Sequence, residues 1–167
     1  MAVTLRPAAA GDGAAVAALH NPVIRDTIAT FTDRERPEQE VEALIAAGQP
    51  HWIAEAGSAA LGFVTAFPFR RGPGYARTFE HTVIVAPAAQ GQGLGRALME
   101  SAEAGVRALG GHSLFAGVSG ENAAGIAFHA ALGYAPVARL PEVGWKFGRF
   151  HDLVLMQKIL SPGRPGH

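Results

Sequence analysis

The stretch 90-QGQGLG-95, preceded by 80-EHTVIVAPAA-89, decides how this 167-residue chain is read. Thr78 to Val85 is rich in β-branched residues and stops short of Pro87, which predicts a strand. Beyond the glycines, Leu94, Leu98, Ala102, Val106 and Leu109 mark one face of a long helix. A glycine-rich turn opening a helix presents bare N–H groups and the positive end of the helix dipole, a binding place for a pyrophosphate. Gly91, Gly93 and Gly95 let that backbone approach the oxygens with no Cβ in the way. A plain strand-to-helix turn has the same composition. The dinucleotide fingerprint needs glycine where Arg96 stands, and a Walker loop needs Gly-Lys-Ser/Thr, so both common nucleotide loops are excluded.

Outward from this stretch, Val3 to Arg6 reads as a first strand closed by Pro7, and Gly11 to His20 as a helix with Asp12 at its start. Pro37 in the first helical position, with Val41, Leu44 and Ile45 at helical spacing, predicts a second helix to Ala47. Trp52 to Glu55 and Leu61 to Phe69 form a hairpin about Gly57-Ser58. Past the long helix come a strand at Ser113 to Val118, a helix at Asn122 to Leu132, and strands near Tyr134 to Leu140 and Phe150 to Gln157. The order β, α, α, β, β, β, α, β, α, β, β predicts an α/β (α+β) mixed sheet with helices on its faces.

The length suits one domain, taken as residues 1–160, and the tail 161-SPGRPGH-167 reads as disordered. Fourteen basic and 14 acidic residues cancel, which argues against nucleic acid and anionic membrane as partners. With no cysteine there is neither a disulfide scaffold nor a thiolate site. No stretch has the length of a membrane span and the N-terminus lacks a signal-peptide core, so a cytoplasmic protein is expected. A serine-hydrolase elbow fails at Glu121 and no HExxH pattern exists, so no metal is expected.

The pattern Gln90-x-x-Gly93-x-Gly95 after 82-TVIVAP-87 resembles the acetyl-CoA pyrophosphate loop of the GNAT-type N-acetyltransferases. The later stretch 122-NAAGIAFHAALGY-134 is similar to the second cofactor motif of that family. The pieces 20-HNPVIRDTIATF-31, 75-YARTFEHTVIV-85 and 141-PEVGWKFGRFHDLVLMQ-157 resemble its phosphinothricin and methionine sulfoximine acetyltransferase subfamily. The resemblance implies the GNAT fold, with a largely antiparallel sheet of about seven strands. It also implies transfer of an acetyl group from acetyl-CoA to the α-amine of a small amino acid or analogue, a detoxifying activity, and a homodimer.

The same resemblance implies the site. Acetyl transfer requires a deprotonated amine, a polarised carbonyl and protonation of the departing thiolate. Glu80 matches the general base, acting directly or through water. Main-chain groups of Val83, Ile84 and Val85 face the pantetheine arm, with the Val83 N–H as oxyanion donor. Gln90, Gly91, Gln92, Gly93, Leu94, Gly95 and Arg96 hold the pyrophosphate, and Asn122 faces coenzyme A. His129 stands where many relatives have a proton-donating tyrosine, and equally fits a structural histidine beside the cofactor. For the acceptor, Phe31 matches a pocket wall, Arg70, Tyr75, Arg77 and Thr78 offer carboxylate and polar contacts, and Lys146 lies in the late Lys-Phe-Gly-Arg stretch. Relatives often have Arg where Ala76 stands, which leaves the carboxylate partner open. Acceptors of another kind, such as ordinary amino acids, polyamines or peptide amines, and a non-catalytic acyl-CoA sensor remain alternatives.

Overall fold

A computed structural model describes residues 2–160, and the tail read as disordered lies outside them. Strand β1 (Thr4–Pro7), helices α1 (Gly13–Asp26) and α2 (Glu38–Ala46), and strands β2 (His51–Ala56), β3 (Ala59–Pro68) and β4 (Thr78–Val85) come first. Helix α3 (Leu94–Ala108), strand β5 (Ser113–Ser119), helix α4 (Ala123–Ala131) and strands β6 (Ala135–Lys146) and β7 (Arg149–Ile159) complete the fold. The strands form one sheet in the order β1-β2-β3-β4-β5-β7-β6. All neighbours are antiparallel except β4 and β5. That is the mixed, largely antiparallel seven-stranded sheet read from the sequence.

Several elements differ from their sequence reading. Strand β6 runs on past Leu140 to Lys146, across a register irregularity between Leu140 and Gly144. Helix α1 runs on through Pro22 to Asp26, because Val16, Ala17 and the fully buried Ile24 give it one apolar stripe whose burial outweighs the missing N–H. Pro37 lies just outside α2, as its N-cap. Leu109 follows the end of α3 and is 59% exposed, so the buried face of that helix ends at Val106.

The core is split by the sheet. On one face Leu98, Met99, Ala102 and Val106 of α3 pack with Leu114, Ala116 and Met156, and Val83 and Val85 of β4 join them. On the other, Val16, Ala17 and Val41 of α1 and α2 pack with Ile53 and Phe63, joined by Ile84 of β4. Strand side chains alternate between faces. Glu80 and Thr82 therefore face the α1/α2 side with Ile84, and His81 faces the α3/α4 side.

The parallel pair β4·β5 is hydrogen-bonded only from Thr78↔Ser113 to His81↔Ala116. Strand β5 continues to pair with β7 as far as Ser119↔Leu153, and β4 with β3 as far as Val85↔Gly62. Beyond His81 the sheet is thus split down its middle.

Candidate active site

A cavity of about 780 Å³ occupies this split, within the range of sites that hold small molecules. It runs from Phe31 in the α1–α2 loop, past Glu80 and Thr82 to Val85, to the start of α3 and the inner side of α4. The backbone of β4 beyond His81 has no strand partner on its β5 side. Val83, Ile84 and Val85 all line the opening.

At the α3 end, the N–H groups of residues 91–96 meet no protein acceptor among the described residues, and the first backbone bond is Ala97 N–H to Gly93 C=O. Gly91 and Gly93 have φ of +75° and +79°, left-handed conformations that a side chain would strain. Gly95 has another reason to be glycine, since a Cβ there would lie 3.0 Å from the Phe128 ring of α4. Gln90, Gly91, Gly93, Leu94, Gly95 and Arg96 line the cavity, whereas the exposed Gln92 turns its amide to the Ala88 carbonyl at 3.3 Å. Six bare donors and one arginine at a helix start fit a pyrophosphate.

Asn122 caps α4, its Oδ1 accepting the Gly125 N–H at 2.9 Å, and also lines the cavity. His129, deep on α4, has Nδ1 2.7 Å from the Gly125 carbonyl. A carbonyl only accepts, so Nδ1 carries the proton and Nε2 of the neutral ring is left as an acceptor. Nε2 is buried without a partner. Burial holds the imidazole below its usual pKa. The sequence reading left His129 as either a proton donor or a structural histidine beside the cofactor; this ring can donate from Nε2 only after first taking up a proton.

Glu80 is half-buried, and burial raises its carboxyl above the usual range. Its Oε1 lies over Gly117 of β5, where a Cβ would come within 2.9 Å. Behind it, His81 stacks on His129 with ring centroids 5.1 Å apart. Burial, then the neighbouring His129, press His81 down to about 3, and neither of its ring nitrogens has a partner. Tyr134 meets both histidines edge-on. Its hydroxyl donates to buried Glu103 at 3.1 Å, so it packs against the two rings with its proton engaged away from the cavity.

The acceptor end departs further from the sequence reading. Phe31 does wall the cavity, its ring stacked on His151 at 5.5 Å and flat against Gly144. Arg70, Tyr75, Arg77 and Thr78 do not line it, because they sit at or before the zipped N-terminal end of β4 while the split opens at the other end. Lys146 is 3% exposed and spends its ammonium on the carbonyls of Ile24, Thr27 and Thr30 at 2.5, 2.6 and 2.8 Å. It fastens β6 to the end of α1 and has no donor left for a ligand. The sequence reading passed over Arg36, which with Arg96 makes up the Lys and Arg side chains lining the cavity. It also left His81 and Gly117 without a role. Alternation beside Glu80 would have placed His81 on the opposite face; no local signal marks the other two.

Residues 17–134 match the family model described as the acetyltransferase (GNAT) family. The chain belongs to the GNAT acetyltransferase family. It is similar to the L-methionine sulfoximine/L-methionine sulfone acetyltransferase of Salmonella typhimurium, at 36% identity over 95% of each chain. It is likewise similar to the phosphinothricin N-acetyltransferase of Alcaligenes faecalis, at 36% identity over 97% of this chain and 85% of that one. Among solved structures, yncA from Salmonella typhimurium with its cofactor acetyl-CoA superposes with a TM-score of 0.91 at 34% identity, covering 100% of this chain and 99% of that one.

Proposed function

We propose that the protein acetylates the α-amine of a small amino acid or analogue of the methionine sulfoximine, methionine sulfone or phosphinothricin type, using acetyl-CoA in a ternary complex. The reading rests on one observation above others: the split between β4 and β5, with a carboxylate on one face of β4, an imidazole on the other, and a tier of bare N–H groups at one end. Its relatives by name acetylate amino acid analogues, which supports the acceptor class.

Acetyl-CoA, when bound, supplies the acyl group as a thioester. The N–H groups of residues 91–96 and Arg96 would hold its pyrophosphate, and the backbone of Val83 to Val85, which has no strand partner on its β5 side, its pantetheine arm. Glu80 takes a proton from the acceptor's ammonium, directly or through one water, and burial makes it a stronger base than an exposed carboxylate. A β4 N–H, that of Val83 by position, donates to the oxygen that gains charge as the amine attacks. His129 Nε2, an acceptor at rest, takes the second amine proton and passes it to the departing sulfur. The proton count closes: one on Glu80, one on the thiol.

We further propose that residues 1–160 act as one domain, in the cytoplasm, in a protective role, and as a homodimer. No helix among the described residues is long and apolar enough to cross a membrane. Val143, Trp145, Phe147 and Phe150 of the β6–β7 hairpin are each more than half exposed, an apolar surface suited to a second copy.

The decisive experiment follows thiol release from acetyl-CoA with a panel of amines. Methionine sulfone, methionine sulfoximine or phosphinothricin should be turned over. Saturable coenzyme A binding with no acceptor turned over would refute the enzymatic reading. Glu80→Gln should cut turnover while leaving coenzyme A affinity nearly intact, and an unchanged rate would remove Glu80 from the chemistry.

A further inference from the structure

The acceptor proposed above carries a carboxylate beside its amine, and a carboxylate brought into a half-buried cavity needs a cation there. Of the two arginines that line the cavity, Arg96 stands at the start of α3, at the pyrophosphate end. Arg36 stands at the other end, in the loop before α2. The backbone of Arg36 is clamped to α1: its N–H donates to Asn21 Oδ1 at 2.8 Å, and Asn21 Nδ2 donates to its carbonyl at 3.0 Å. Such a clamp fixes where the side chain starts. Its guanidinium, meanwhile, makes no hydrogen bond or ion pair with any described residue, although every other arginine on α1 and in its loop to α2 is paired with a carboxylate. A half-buried arginine with unused paired donors is suited to receive a carboxylate bidentately.

Position supports the same reading. Arg36, His20 and Thr82 are shared between the main cavity and an adjoining one of about 410 Å³, so the guanidinium stands where the two meet. Thr82 lies on the same face of β4 as Glu80, two residues along, a separation of about 7 Å. The amine and carboxylate of an α-amino acid lie about 3 Å apart, and a hydrogen bond of about 2.9 Å at each end lets them bridge from Glu80 to the position of Thr82. Two of the neighbours are neutral, and the third, Glu40, feels the charge of Arg36 but makes its ion pair elsewhere. His20 is pressed down to about 4 by burial and by Arg36 itself, and His51 is lowered chiefly by burial, with Arg36 adding to it, so both are neutral. Glu40, which lines the adjoining cavity, is engaged by Arg34 at 3.1 Å.

We infer that Arg36 is the residue that binds the acceptor's α-carboxylate and so sets the preference for amino acids over simple amines. The inference rests on the proposed acetyltransferase activity and deepens it. The test compares methionine sulfone with its carboxamide as acceptors for the wild-type protein, Arg36→Gln and Arg36→Lys. The wild type should favour the acid, and Arg36→Gln should lower kcat/KM for the acid by about 100-fold, through KM, bringing acid and amide level. Arg36→Lys should restore part of the preference, since a point charge replaces a fork. A thermal midpoint near that of the wild type shows that the variants are folded. If Arg36→Gln keeps the preference for the acid, or loses acid and amide equally, the assignment is overturned. If the wild type acetylates methionine sulfone and its amide equally well, the anchor is refuted while the proposed activity stands. If the wild type acetylates no amino acid, the proposed activity fails, and calorimetry of methionine sulfone on coenzyme A-loaded protein decides the anchor: equal affinity for wild type and Arg36→Gln refutes it.

Discussion

Replacing Lys146 with methionine separates the acceptor contact that the sequence implied from the structural role that the fold gives it. In the folded protein its ammonium is held by the carbonyls of Ile24, Thr27 and Thr30, and burial lowers its pKa. These bonds tie the end of β6 to the last turn of α1 and to the loop that carries Phe31. Methionine keeps the length of the side chain and removes every donor. Three carbonyls then lose a charged partner; water reaches some of them as the loop loosens, so the losses do not simply add. Removing one side of a buried charge interaction costs roughly 3–5 kcal/mol. For a chain of this size each kcal/mol is about 2–4 °C of melting temperature, so Lys146→Met should melt roughly 6–20 °C lower. Calorimetric or fluorescence melts read this directly, with the acceptor KM measured below the transition. The acceptor KM should rise too, because Phe31 loses its mooring, while coenzyme A affinity holds. A variant melting within about 2 °C of the wild type, with a raised acceptor KM, would refute the strut and return Lys146 to the substrate.

Gly117→Ala puts a Cβ 2.9 Å from Glu80 Oε1 and so displaces the carboxylate, and turnover should fall about 100-fold with coenzyme A affinity unchanged; full activity would show that Glu80 works from another position. The pH profile of kcat/KM should lose activity on the acid side with an apparent pKa above that of an exposed glutamate, a limb that Glu80→Gln abolishes. His81 is protonated in the unfolded chain below about pH 6.5 and stays neutral in the fold down to about 3, so its contribution to stability is present above 6.5 and lost as pH falls, at about 1.4 kcal/mol per pH unit. His81→Phe should flatten the decline between pH 6 and 4 in denaturant titrations, and an unaltered slope would mean that another buried group drives it.

What could be read from the sequence was local. Strand β4 was legible to its end residues, since a β-branched run stopped by a proline has few other conformations, and so was the glycine turn. Asn122 was legible as the opening of α4, where it caps the helix and lines the cavity together with His129. Less legible was whatever depends on strands meeting. The arginines at 70 and 77 looked suited to a carboxylate because they adjoin β4 in sequence, yet β4 is zipped to β5 at that end. Arg36 is 44 positions before Glu80 and reaches the cavity only because Asn21 holds the loop against α1. Likewise Leu109 kept the helical spacing of α3, but Gly110, at φ +83°, turns the chain away.

The split explains why the catalytic groups come from opposite sides of one strand. Alternation along β4 places Glu80 toward α1 and α2 and His81 toward α3 and α4, so no single face of a closed sheet could join a base on one side to His129 on the other. Only an opening within the sheet lets one reacting centre touch both, and β4·β5 is where an opening disturbs least. It is the one parallel junction, and each strand keeps its antiparallel partner on the far side, β3 for β4 and β7 for β5. Register is then part of the chemistry, because a slip of one residue would exchange Glu80 with His81. Gly62 guards against that slip, since its hydrogen faces the Ile84 carbonyl where a Cβ would stand 2.8 Å away. A side chain at residue 62 would force β3 and β4 apart next to the split, altering the site without touching any residue that carries the chemistry.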